Sequence, residues 1–171
     1  MKLNSMMVGA AALMAMGGTA WAQAPAAPDA KRPPEYVSIV MDISVDKPID
    51  VVMKKTGDYC AIGTLFKTTC TYTSGTGGVG TVRLIAGRVV EVMVAKTDRS
   101  YTYEQPPSFS PIFYHGTVEY VPDGQKTKIV YTLFYDDSNL ADQAAKDKDQ
   151  TTRRTQFTNL LKTMKSVAEA P

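Results

Sequence analysis

Arg83 and Glu91 are the residues of this chain best placed to do chemistry together. They are a guanidinium and a carboxylate on two segments, Thr81 to Ala86 and Val89 to Lys96, that read as the arms of a hairpin. A three-residue connection, Ala86-Gly87-Arg88, sets Arg83 opposite Glu91, and a three-residue turn after Lys96 would bring Tyr101, Tyr103 and Gln105 onto the same face. Turned inward, such a pair can fix a carboxyl, phenol or carbonyl group, or Glu91 can move a proton while Arg83 steadies oxyanion charge. Periodicity alone favours turning it outward, since Val82, Leu84, Val90, Val92 and Val94 make the opposite face wholly apolar. Both orientations stay open.

Around that pair lies a stripe of phenols. Six of the nine tyrosines fall between Tyr101 and Tyr135, on three short alternating segments. A core rarely needs so many hydroxylated rings, so the stripe suggests a sheet lining an apolar, hydrogen-bonding cavity. The alternative is that the rings only fill a core. The expected ligand-facing set is Arg83, Glu91, Tyr101, Tyr103, Tyr114, Tyr131 and Tyr135; if turnover occurs, Glu91, Arg83 and Tyr114 are the catalytic candidates.

His115, the only histidine, is the obvious general base by its ordinary titration range. Geometry argues against that role. If Asp123-Gly124 forms a two-residue type I′ turn, Tyr120 faces Thr127, Val118 faces Ile129, Gly116 faces Tyr131 and Tyr114 faces Leu133. The other face then sets Glu119 against Lys128 and His115 against Thr132, and an ion pair belongs in water. His115 is therefore expected on the outside. Gly116 beside Tyr131 leaves room where a packed core would have a side chain. The glycine-rich run from Ser74 to Gly80 reads as a flexible hairpin, because a phosphate cradle needs a helix behind it and another strand follows here.

Two cysteines, Cys60 and Cys70, show no metal-ligand spacing, and no cofactor or metal is implied. Residues 1–22 have the form of a secretory signal: Lys2, an apolar stretch from Met6 to Met16, and an Ala20-Trp21-Ala22 cleavage site. Export to an oxidising compartment, secreted or periplasmic, makes a Cys60–Cys70 disulfide the expected state rather than two buried thiols. Residues 23–34 have the composition of an Ala/Pro tether, and residues 35–171 form one domain. Removing Lys2 takes the 19 basic residues to 18 against 17 acidic ones. With no basic tract interleaved with aromatics, nucleic acid and anionic membrane are poor partners, and no integral span is expected after cleavage.

The elements that must position these residues run in a simple order. A strand at Tyr36 to Val45 is followed by a short helix from Pro48 to Gly57 and a second from Asp58 to Phe66. Strands follow near Lys67 to Thr73, Thr81 to Ala86, Val89 to Lys96, Tyr101 to Gln105, Ile112 to Val121 and Thr127 to Asp136. A long helix, Leu140 to Ala168, closes the chain; Phe157, Leu160, Leu161, Met164 and Val167 keep the 3.6-residue period, while Arg153, Arg154, Lys162 and Lys165 read as a solvated face. This is an α+β layout with a helix laid across an antiparallel sheet.

Over Tyr36 to Glu169 the chain resembles the START-like (SRPBCC) superfamily, which includes birch-pollen-allergen-like proteins, plant abscisic acid receptors and the polyketide cyclase/dehydrase group. The resemblance rests on Gly77-Gly78-Val79-Gly80-Thr81-Val82-Arg83, Glu91 followed by Asp98, Tyr101-x-Tyr103, Tyr114-x-Gly116-x-Val118 and Thr127-x-Ile129-x-Tyr131 before the long helix. Ile62 to Phe66 departs from the pattern by lacking a tryptophan common there. The resemblance implies a helix-grip fold, a curved antiparallel sheet around the terminal helix and a hydrophobic cavity, with Arg83 and Glu91 at its polar end. With the leader and the tyrosine stripe, the first expectation is an exported protein that binds a hydrophobic, oxygenated small molecule, aromatic, polyketide-like or lipid. Its alternatives are a cofactor-free cyclase, dehydratase or lyase acting on such a molecule, and a ligand-free interaction module. One fold hosts many functions, so the resemblance does not choose among them.

Overall fold

The computed structural model describes residues 32–171, so the expected leader and all of the tether but Arg32 to Pro34 lie outside the described residues. Strand β1 (Tyr36–Val45) leads into helices α1 (Ile49–Thr56) and α2 (Ala61–Leu65). Six strands follow, β2 (Cys70–Ser74), β3 (Val82–Ile85), β4 (Val89–Lys96), β5 (Ser100–Glu104), β6 (His115–Asp123) and β7 (Lys126–Asp136), and α3 (Gln143–Glu169) ends the chain. All seven strands join one antiparallel sheet in the order β1-β7-β6-β5-β4-β3-β2. The sheet curves around α3, which is the helix-grip arrangement expected from the sequence.

Alternation builds the core. Along β7 the inward residues Thr127, Ile129, Tyr131, Leu133 and Tyr135 are buried while their neighbours are not. Phe157, Leu160, Leu161, Met164 and Ala168 of α3 meet them at helical spacing. Asp142 caps this helix by accepting from the Ala145 amide at 2.8 Å. No residue of α3 before Phe157 is buried. The polar first half is tied down instead by Lys146 to Glu35 and Asp137, by Gln150 Nε2 donating to Asp137 Oδ2 at 3.1 Å, and by Tyr135 donating to Asp149 at 2.7 Å. Arg154 and Lys165 are not merely solvated: they donate to the Val40 and Ser44 carbonyls of the edge strand β1, at 3.0 and 2.7 Å. Covered carbonyls make that edge a poorer template for another strand.

Cys60 and Cys70 are bonded, joining the start of α2 to β2 with their Cα atoms 5.5 Å apart. Gly63 permits the approach, since a Cβ there would stand 2.9 Å from the Cys70 Cβ. Intact mass should therefore rise by one alkyl group per cysteine only when reduction precedes alkylation of protein whose free thiols were first blocked. A mass unchanged by reduction would show that the bridge does not form.

The β6–β7 register differs from expectation. Asp123 pairs with Lys126, so the turn is Gly124-Gln125, with Gly124 at φ +61° in the first central position. Gln125 does not share the positive φ, so only the first central position is left-handed, the place a type II′ turn gives to glycine. Sliding the turn by one residue shifts every pair by two, setting Val118 opposite Tyr131, Gly116 opposite Leu133 and His115 opposite Phe134. Because the side-chain period is two, no residue changes face.

Candidate functional site

Arg83 and Glu91 stand opposite each other in the β3–β4 ladder and face inward, 1% and 4% exposed. Arg83 Nε and Nη2 both donate to Glu91 Oε2, at 2.8 and 2.6 Å, and Nη1 donates to the Tyr59 carbonyl. Glu91 Oε1 accepts from Gln105 Nε2 at 3.2 Å. The guanidinium lies against two rings, 3.9 Å from the Tyr59 centroid and 4.9 Å from that of Tyr103. Burial is the largest single influence and works against its charge, but the Glu91 carboxylate together with Tyr101, Tyr59 and Tyr103 outweighs it and holds the Arg83 pKa above its ordinary value.

Burying this pair inverts the polarity of two strands. Val82, Leu84, Val90 and Val92 are only half-buried on the outer face and Val94 is exposed, while the ions occupy the interior. Burial of the aliphatic residues would be the cheaper arrangement, and places where a sequence breaks its own pattern tend to be functional.

Beside the pair opens a cavity of about 360 Å³ between the sheet and α3. Arg83, Glu91, Gln105, Tyr103, Tyr114 and Tyr131 form its polar side, while Phe66, Phe157 and Ile62 supply apolar wall. The Tyr103 and Tyr131 hydroxyls are hydrogen-bonded to each other at 2.8 Å. The Tyr114 hydroxyl lies close enough to the Tyr103 and Arg153 side chains for both to favour its ionised form, though burial outweighs them. Burial raises the pKa of all three phenols, so they stay neutral and act as hydrogen-bonding groups rather than as phenolate bases.

Five of the expected residues, Arg83, Glu91, Tyr103, Tyr114 and Tyr131, therefore meet at one cavity. Tyr101 and Tyr135 do not line it. Tyr101 meets Tyr59 edge-on at 5.4 Å and borders a separate space under α1, and the Tyr135 hydroxyl is committed to Asp149. The room foreseen at Gly116 is not empty: the Tyr103 ring lies across it, so close that a Cβ would fall 2.3 Å from the ring. Arg153, expected on a solvated face, lines the cavity, bonds Asp149 through Nε at 2.8 Å and stacks 4.3 Å over the Tyr135 ring. It was missed in the sequence; the one signal that could have found it is its position one turn before Phe157.

His115 is on the outer face, as expected. Its Nδ1 is 3.0 Å from the Phe113 carbonyl and its Nε2 is 3.4 Å from Glu104 Oε2. His115→Gln should change stability by less than about 0.5 kcal/mol, as surface substitutions do, and leave ligand binding at its wild-type level. A large loss of binding in a titration of that variant would contradict the outward placement. Among the described residues no cluster of His, Cys, Asp or Glu is placed to hold a metal ion, and no helix is long and apolar enough to cross a membrane.

A curved seven-stranded sheet gripping a terminal helix over a tyrosine-lined cavity is the birch-pollen-allergen-like architecture, and the comparisons agree. Residues 36–169 match the family described as polyketide cyclase/dehydrase and lipid transport, and the chain belongs to it. Similar solved structures include a protein from Nitrosospira multiformis, with TM-score 0.62 and 19% identity over 76% of this chain and 94% of that one. Ara h 8.0201 superposes with TM-score 0.59 at 13% identity, covering 78% and 98%. The Zhui aromatase/cyclase from Streptomyces sp. R1128 does so with TM-score 0.61 at 17% identity, covering 79% and 94%. At these identities the likeness is one of fold. No curated protein matches the sequence.

Proposed function

We propose that this protein is exported and holds a hydrophobic, oxygenated small molecule, aromatic, polyketide-like or lipid, in the cavity under α3. The observation that carries the reading is the cavity of about 360 Å³ lined by Tyr103, Tyr114 and Tyr131, a volume within the range of small-molecule sites. Apolar wall on one side and hydroxyl, amide and guanidinium groups on the other match a ligand with a ring or chain body and a few oxygens. The family to which the chain belongs, described by cyclisation, dehydration and lipid transport, supports the same ligand class. The signal-like residues 1–22 and the Cys60–Cys70 bridge support export, since such bridges persist in oxidising compartments.

Cyclase, dehydratase or lyase chemistry is the second reading, favoured by the buried Arg83–Glu91 pair beside the cavity. It asks more of the site. Glu91 Oε2 already accepts two bonds from Arg83 and Oε1 one from Gln105, which leaves a single lone pair on Oε1 to take a substrate proton. Protein purified from the envelope or medium of its own source should begin at Gln23 and carry a bound small molecule in native mass spectra. Retention of Met1 on exported material would refute the leader, and ligand-free spectra across repeated native preparations would count against the binding reading.

A further inference from the structure

Charge at the cavity is unevenly distributed. Three arginines line it, Arg83, Arg88 and Arg153, against one carboxylate, Glu91. Arg83 and Glu91 satisfy each other in the interior, so a ligand anion placed there would meet the Glu91 carboxylate as well as the guanidinium. The other two cations are differently placed. Arg88 is exposed in the β3–β4 turn and forms no ion pair among the described residues. Arg153 engages Asp149 through Nε, with the Tyr114 hydroxyl also near its side chain, and its two terminal nitrogens are not committed to that carboxylate. A guanidinium with uncommitted terminal nitrogens is suited to a carboxylate fork.

Resting on the ligand-binding reading above, we propose that the ligand is an amphipathic carboxylate. Its neutral, oxygen-bearing body lies against Tyr103, Tyr114 and Phe157, and its carboxylate sits at the mouth between Arg153 and Arg88. The polar interior therefore reads neutral oxygens, and the charged head stays where water can reach it. Such a division avoids stripping an anion of water in the core. It also sets the orientation of the molecule, head out and body in.

The test uses 6-hydroxy-2-naphthoic acid and its neutral methyl ester, which share the rings and the phenol and differ in the charge. Calorimetric titration at low salt should give the acid at least tenfold higher affinity than the ester, with the difference shrinking at high salt as screening requires. Arg88→Gln and Arg153→Gln should each lower acid binding several-fold and leave ester binding within twofold. Because Arg153 also packs on Tyr135, Arg88→Gln, an exposed turn position, keeps the test free of folding defects. Equal binding of acid and ester would overturn the anionic assignment while the cavity reading stands. Arginine variants that weaken both probes alike would overturn it too. If neither probe binds, the cavity reading fails and the inference falls with it.

Discussion

Arg83→Met should lower stability by about 3–5 kcal/mol, because it removes one partner of a buried ion pair and leaves the other charged and unpaired. Glu91 is 4% exposed and would keep only its hydrogen bond from Gln105. The Tyr59 carbonyl would lose its donor in the same step. Had the pair faced outward, as periodicity alone favoured, the same change would cost little, since exposed pairs contribute about 0–1 kcal/mol. Replacing Arg83 and Glu91 together by Met should recover most of the loss, because two apolar side chains of similar volume need no counter-charge. Urea unfolding of the two variants separates these cases. A single variant with a wild-type midpoint would mean that the pair is solvated, and a double variant as unstable as the single would mean that packing around Tyr59 and Tyr103 matters more than charge.

The same pair shows what could be read from the sequence and what could not. Alternation and a three-residue turn were enough to set Arg83 opposite Glu91, since pairing depends on local chain geometry. They could not say which face was inside. The outward valines and the inward ions follow from what the whole sheet wraps around, which no window of β3 or β4 contains. Only the likeness to the superfamily leaned towards the interior. In β6 and β7 the reverse happened: the turn was misplaced by one residue, yet every face came out right because the error moved the register by two. Arg153 was lost for a third reason. The first half of α3 carries no buried residue, so its inward stripe has no apolar signature to mark it. The Tyr103 ring over Gly116 was equally hidden, because a close approach across strands leaves no trace in spacing beyond the glycine itself.

Tyr114→Phe and Tyr131→Phe should part company, although the sequence treats the two rings alike. The Tyr131 hydroxyl is bonded to that of Tyr103, and both residues are almost fully buried, at 1% and 2% exposure. Deleting it strands the Tyr103 hydroxyl in the core, at a cost of about 1–3 kcal/mol in stability. The Tyr114 hydroxyl forms no close pair of that kind and lies on the cavity, so its loss should cost less stability than that of Tyr131. Its effect should fall on the ligand instead. If the Tyr114 hydroxyl donates to a ligand oxygen, Tyr114→Phe weakens binding of methyl 6-hydroxy-2-naphthoate about tenfold, the equivalent of about 1.4 kcal/mol. Thermal melts and calorimetric titrations of both variants read the two effects separately. Wild-type binding in Tyr114→Phe would make that ring packing and nothing more. Unchanged melting in Tyr131→Phe would mean that the buried hydroxyl of Tyr103 finds another partner, and the cavity side of the sheet would then be wetter than its burial implies.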